Sequence, residues 1–133
     1  MNYLSIDLGD KRCGIAYSNM GIIFTLPFVE RFKLVGELKK IIIEKNISEI
    51  VIGMPFDLYG KDLRQLDKTK KFVLKLKQIF KNIEIIEVDE RFTTFESINI
   101  LTELGGNKKD ILEKKDSISA YLILERFLSQ VNT

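Results

Sequence analysis

The sequence predicts a mixed α/β fold, a sheet whose first strands are antiparallel and whose later strands are joined by helices. Three observations lead there. Short apolar runs separated by tight turns open the chain, strand and helix periodicities then alternate, and helical spacing fills the last third. Such an order describes a meander continued by strand-helix-strand units, whose crossovers are expected to be right-handed.

Tyr3 to Ile6, Gly14 to Ser18 and Ile22 to Val29 read as the meander, with Asn19-Met20-Gly21 at its second turn. From Val35 the spacing turns helical: Val35, Leu38 and Ile42, with neighbouring Ile41, share one face that ends near Asn46. Glu49 to Gly53 is short and nearly all apolar, as a parallel strand covered on both faces should be. Met54 to Gly60 carries Pro55 and Gly60 and no helical period, so it reads as a loop. Leu66, Val73, Leu76 and Phe80 mark the buried stripe of a lysine-rich helix, and Ile83 to Val88 the next strand. Thr93 and Glu96 fit a capping box for a helix that carries Ile98 and Leu101 and stops at Gly105-Gly106. Asn107 to Lys115 reads as a basic loop, and the last helix as running from about Asp116 to about Leu128.

The 133 residues suit a single domain spanning 1–133, and 45% hydrophobic with 30% charged residues is the balance of a soluble globular chain. No apolar run approaches the ~20 residues of a membrane span. No basic and apolar export signal opens the chain, so the expected location is cytoplasmic. Histidine is absent and Cys13 is the sole cysteine, which excludes histidine-based nucleophile activation, zinc sites of His/Cys type and an internal disulfide. Any metal must then be a hard one held by oxygen, Mg²⁺ or Mn²⁺. A net charge of +2 does not by itself announce a nucleic-acid binder.

Ligands of open α/β sheets gather outside the carboxyl ends of the strands. Asp7 ends its strand, and Asp89 and Glu90 stand just past the end of theirs. Asp116 precedes Ala120, Ile123 and Phe127 by four, seven and eleven positions, which puts its carboxylate on an apolar helix face. A charge there needs compensation, and a divalent cation shared with Asp7 would supply it. Each acid alone has a plainer role: Asp116 as a helix N-cap, Asp7 as a strand-end acceptor, Asp89 or Glu90 as a partner for Arg91. Their joint placement favours a site. Lys11 and Arg12 occupy the first turn, where they could hold a phosphate beside Asp7. Lys61, Arg64 and Gln65 open the lysine-rich helix, whose N-terminus favours anions. Lys114 and Lys115, with Lys108 and Lys109, could engage a nucleic-acid backbone. Lys68, Lys70, Lys71, Lys75 and Lys77 read as the solvated face of their helix, and Cys13 as a small strand residue.

Four motifs occur in order along nearly the whole chain: Asp7-Leu8-Gly9 with Lys11-Arg12-Cys13-Gly14-Ile15-Ala16, Gly53-Met54-Pro55 through Gly60 to Gln65, Asp89-Glu90-Arg91-Phe92-Thr93-Thr94, and Lys115-Asp116 leading to Ala120 and Leu124. Together they resemble the YqgF/RuvX family, described as Holliday-junction-resolvase-like and as pre-16S rRNA nucleases. The resemblance implies a ribonuclease H-like fold, a five-stranded mixed sheet with its first strand central and helices on its faces. It also implies a divalent-metal nuclease site of Asp7, the Asp89-Glu90 pair and Asp116. Neighbouring side chains of extended backbone point opposite ways, and Glu90 is the expected ligand, with Asp89 or Arg91 fixing the loop. Arg91 and Thr94 join the basic residues above as expected nucleic-acid contacts. Ser119-Ala120 departs from the two alanines common in the family, a difference expected to affect packing rather than chemistry.

The expected reaction is phosphodiester hydrolysis with one or two Mg²⁺ or Mn²⁺ ions held by Asp7, Glu90 and Asp116. The implied substrate is the 5′ end of precursor 16S rRNA in ribosome biogenesis. Alternatives are a resolvase of branched DNA, which needs a dimer, and a non-catalytic RNA-binding factor of ribosome assembly or transcription. An actin-type or Hsp70-type ATPase shares the Asp-x-Gly opening, but such enzymes close two lobes over a nucleotide and 133 residues supply one. The expected assembly is a monomer or weak homodimer without a membrane partner.

Overall fold

Strands β1 (Tyr3–Asp7), β2 (Arg12–Asn19), β3 (Ile22–Glu30), β4 (Glu49–Met54) and β5 (Glu84–Asp89) form one five-stranded sheet in the order β3-β2-β1-β4-β5. The first three strands pair antiparallel, and β4 and β5 continue parallel to β1. A turn of 3₁₀ helix, Arg31–Lys33, leads into α1 (Leu34–Glu44); α2 (Arg64–Ile79) lies between β4 and β5, and α3 (Lys108–Val131) closes the chain. This computed structural model describes residues 1–55, 63–89 and 108–131, with side chains from 117 onward in the last stretch. The expected capping box at Thr93 and Glu96 and the Gly105-Gly106 stop lie outside those residues.

Alternation along β1 divides the core. Leu4 and Ile6 join Leu34, Leu38 and Ile41 of α1 and Phe72, Val73 and Leu76 of α2 on one face. Tyr3 packs with Val51, Val88 and the α3 residues Ala120, Ile123, Leu124 and Phe127 on the other. Strand β4 is buried on both sides, Ile50, Ile52 and Met54 toward α1 and α2 and Val51 toward α3, which is why it reads as a continuous apolar run.

The turns follow from their residues. Met20 and Gly21 both have positive φ (54° and 81°), the backbone of a two-residue hairpin turn that matches strand twist. At the end of α1, Asn46 takes φ 52°, while the Asn46 N–H donates to the Ile43 carbonyl and the Ile47 N–H to that of Ile42. That double closure is a Schellman motif, and Ile47 buries itself against the helix end. In the β2–β3 ladder the register passes from Cys13↔Val29 to Ile15↔Leu26, so Gly14 is opposed by both Pro27 and Phe28. The bulge, on an edge strand, is where a residue lacking an N–H does least harm.

Two expectations are corrected. Met54 is the last residue of β4 rather than the first of a loop, because its side chain is fully buried under α1 and α2. The last helix begins at Lys108, so Asp116 is interior to it and is no N-cap; Lys, Ile, Leu and Glu across 108–115 all sustain a helix, and no Gly or Pro breaks it. No helix among the described residues is long and apolar enough to cross a membrane.

Candidate active site at the carboxyl end of the sheet

Because β1, β4 and β5 run parallel, Asp7 and Asp89, each the last residue of its strand, come to the same edge of the sheet. They do not share a face. Asp7 has the parity of Tyr3 and Ser5, which meet α3, whereas Asp89 has that of Ile85, which packs toward α1 and α2. Val88 lies on the α3 side.

Helix α3 lies across that side. The Ser5 hydroxyl, fully buried, donates to the Ala120 carbonyl at 2.7 Å, and the Tyr3 ring meets Phe127 edge-on at 4.9 Å between centroids. Moving up β1 from Tyr3 to Ser5 therefore means moving back along α3 from Phe127 to Ala120, and the helix crosses the sheet obliquely, since the Ser117 hydroxyl donates to the Leu26 carbonyl of β3 at 3.1 Å. Small side chains at Ser5, Ala16, Ser119 and Ala120, all buried, leave room for this approach. Arg126 reaches from α3 to the end of β5 and donates to the Asp89 carbonyl at 2.6 Å.

The β1–β2 turn is braced from three sides. The Gly9 carbonyl accepts from the Arg31 guanidinium at 3.0 Å and lies 3.7 Å from Cys13 Sγ, and the Arg31 N–H donates to the Lys11 carbonyl at 2.8 Å. Arg31 itself stacks over Phe72 of α2, 4.8 Å from the ring centre. Arg12 sits 5.2 Å over the Phe28 ring, so its cation is held beside the turn rather than swept through solvent. A weak exposed pair, Lys68 with Asp10 at 3.7 Å, ties the turn's tip to α2.

The structure thus brings Asp7, Lys11, Arg12 and the end of β5 to one edge, with Arg64 and Gln65 in the first turn of α2. Lys61, Glu90, Arg91 and Thr94 lie outside the described residues, as do the side chains of Lys114, Lys115 and Asp116, whose backbone belongs to α3. Among the described residues no three acids gather as a metal site. Sequence reasoning missed Arg31, Ser5 and Arg126. Their partners stand 22, 115 and 37 positions away, and no local pattern signals such a contact.

A family model described as RuvX, Holliday junction resolvase, matches residues 1–130. The chain belongs to the RuvX family. A member from Fusobacterium nucleatum, named "Putative pre-16S rRNA nuclease", is 41% identical over 133 residues, which covers 95% of each protein. One of the same name from a Sulfurihydrogenibium species is 42% identical over 133 residues, covering 97% of this chain and 90% of that one. Among solved structures, T. thermophilus RuvC in complex with Holliday junction substrate superposes with a TM-score of 0.51 at 9% identity, over 96% of both chains. At that identity the likeness is one of fold, and the RuvX sheet described above is ribonuclease H-like.

Proposed function

We propose that this chain is a divalent-metal-dependent nuclease that hydrolyses phosphodiester bonds, with the 5′ end of precursor 16S rRNA as its substrate and the cytoplasm as its place of action. One observation carries the reading: α3 crosses β1 in the sense that going up the strand from Tyr3 to Ser5 goes back along the helix from Phe127 to Ala120. From the Ser5–Ala120 contact, two residues up the strand reach Asp7, about 7 Å on. One turn back along the helix reaches Asp116, about 6 Å on toward the same end of the sheet. This supports an acidic pair joined across the α3 side, with Glu90, next after Asp89 in the sequence, as the third member. The RuvX relatives, with the activity in their names, support the same chemistry.

The donor set fits a hard cation. Asp7, Glu90 and Asp116 offer only carboxylate oxygen, and the chain has no histidine to compete. Bound there, Mg²⁺ or Mn²⁺ would supply an activated water and charge stabilisation at the departing 3′-oxygen. The chain's own residues do the remainder. Asp7, half-buried at a strand end, holds its carboxylate on a rigid element. Lys11 and Arg12 bind the phosphate on the braced turn, and Arg91 and Thr94, which follow β5 in the sequence, bind it too. Arg64 and Gln65, in the first turn of α2, and Lys61 before them, receive a neighbouring phosphate. Lys114 and Lys115 contact the backbone beside Asp116.

The test compares wild type with Asp7→Asn and Asp116→Asn on a precursor rRNA leader and on a four-way DNA junction, with Mn²⁺ or with chelator. Each substitution is expected to lower leader cleavage about a hundredfold or more while the fold persists. Cleavage that survives both chelator and Asp7→Asn overturns the reading. The family's description favours branched DNA as a second substrate, and faster cutting of the junction than of the leader would select it.

A further inference from the structure

On the face of the sheet opposite α3, a groove of about 640 Å³ runs between α2 and the Arg31–Lys33 turn, lined by Arg31, Phe32, Lys68, Lys71, Phe72 and Lys75. We propose that it is a second binding track, which takes single-stranded nucleic acid leaving the site; the proposal rests on the nuclease reading for its class of ligand. Four cations against the one carboxylate of Asp10 make the groove strongly positive. Lys68, Lys71 and Lys75 follow Arg64 along one exposed ridge of α2, which starts at the carboxyl end of the sheet and descends from it. Among the described residues Lys71 and Lys75 have no carboxylate partner.

Stability does not account for this arrangement. Like charges three and four positions apart weaken a helix. Phe32 is 79% exposed on the opposite wall, and the Lys33 ammonium, 5.4 Å from its ring centre, adds a further cation beside it. An exposed ring beside two cations without a carboxylate partner, Lys71 and Lys75, is what a single strand requires: the ring stacks an unpaired base and the lysines meet successive phosphates. A duplex would offer Phe32 no unpaired base. The Asp10 end of the groove adjoins the turn that carries Lys11 and Arg12, so a strand that leaves the site over that turn, at the edge of the sheet, enters the groove on the other face.

Binding is measured in chelator, by fluorescence anisotropy of a labelled 12-nucleotide oligouridine over a range of salt. The double variant Lys71→Gln/Lys75→Gln is expected to bind about tenfold more weakly, its salt slope flatter by about 1.4, two contacts at about 0.7 each. Lys70→Gln/Lys77→Gln makes the same charge change on the same helix outside the groove, and is expected to leave affinity and slope at the wild-type values. Phe32→Ala is expected to weaken binding without altering the slope. Equal losses in both double variants, or none in the first, overturn the track; an unchanged Phe32→Ala overturns its assignment to single strands. Asp7→Asn separates the two readings, since it should bind oligouridine like wild type whether or not it cleaves.

Discussion

Gly9 shows how narrowly the β1–β2 turn is built. A Cβ there would collide with the Arg12 carbonyl, a backbone atom that cannot yield unless the turn opens. Gly9→Ala is expected to cost about 1–3 kcal/mol by denaturant midpoint, and to lower activity beyond that loss because Lys11 and Arg12 ride on the same turn. Gly36 gives the contrast. It sits exposed in α1 with nothing within 4 Å of where a Cβ would go, so Gly36→Ala is expected to stabilise by about 0.5–1 kcal/mol without touching activity. Asp7 was legible in the sequence because a carboxylate at the end of an apolar strand violates the pattern around it. The Arg31 brace was not, since an arginine after a strand looks like any solvated cation until Phe72 and Gly9 are folded against it.

At the scale of elements, strands declared themselves best where burial is two-sided or turns are tight, as at β4 and the Met20-Gly21 hairpin. The start of α3 escaped because Ile111 and Leu112 are the only apolar residues from 108 to 116, too few to mark a stripe that separates helix from loop before Ser117. The β4–β5 pair carries an electrostatic cost that no strand pattern reveals. Glu49 and Glu84 are register partners, and burial first, then the Glu84 charge, push the Glu49 carboxyl above its ordinary range, with the chain's N-terminal ammonium opposing. A raised folded value means the folded state holds its proton longer than the unfolded state does. Stability is therefore expected to fall as pH rises from the ordinary carboxylate range through the raised value. Glu84→Gln is expected to recover about 0.5 kcal/mol near neutral pH, with the gain vanishing in acid once Glu49 is protonated; thermal melts across pH 3–8 check it. A gain that persists unchanged in acid would assign the effect to something other than the paired charges.

For the molecule as a whole, the site depends on how closely α3 lies on β1, since the acids it would unite belong to opposite ends of the chain. Ala120 is fully buried at the closest approach, its carbonyl accepting from Ser5. Ala120→Leu is expected to cost about 1–3 kcal/mol through overpacking. By lifting the helix from Asp7, it should also reduce cleavage at temperatures where the variant remains fully folded. Retained cleavage there would mean that Asp116 does not work from this helix. The same end of the molecule contains a natural clock. Cys13, the sole cysteine, is wholly buried behind the Gly9 carbonyl in the core shared with α1 and α2, so a thiol reagent can reach it only when this end of the molecule opens. Its alkylation rate in dilute denaturant therefore times that local opening in the unlabelled native protein, before global unfolding begins.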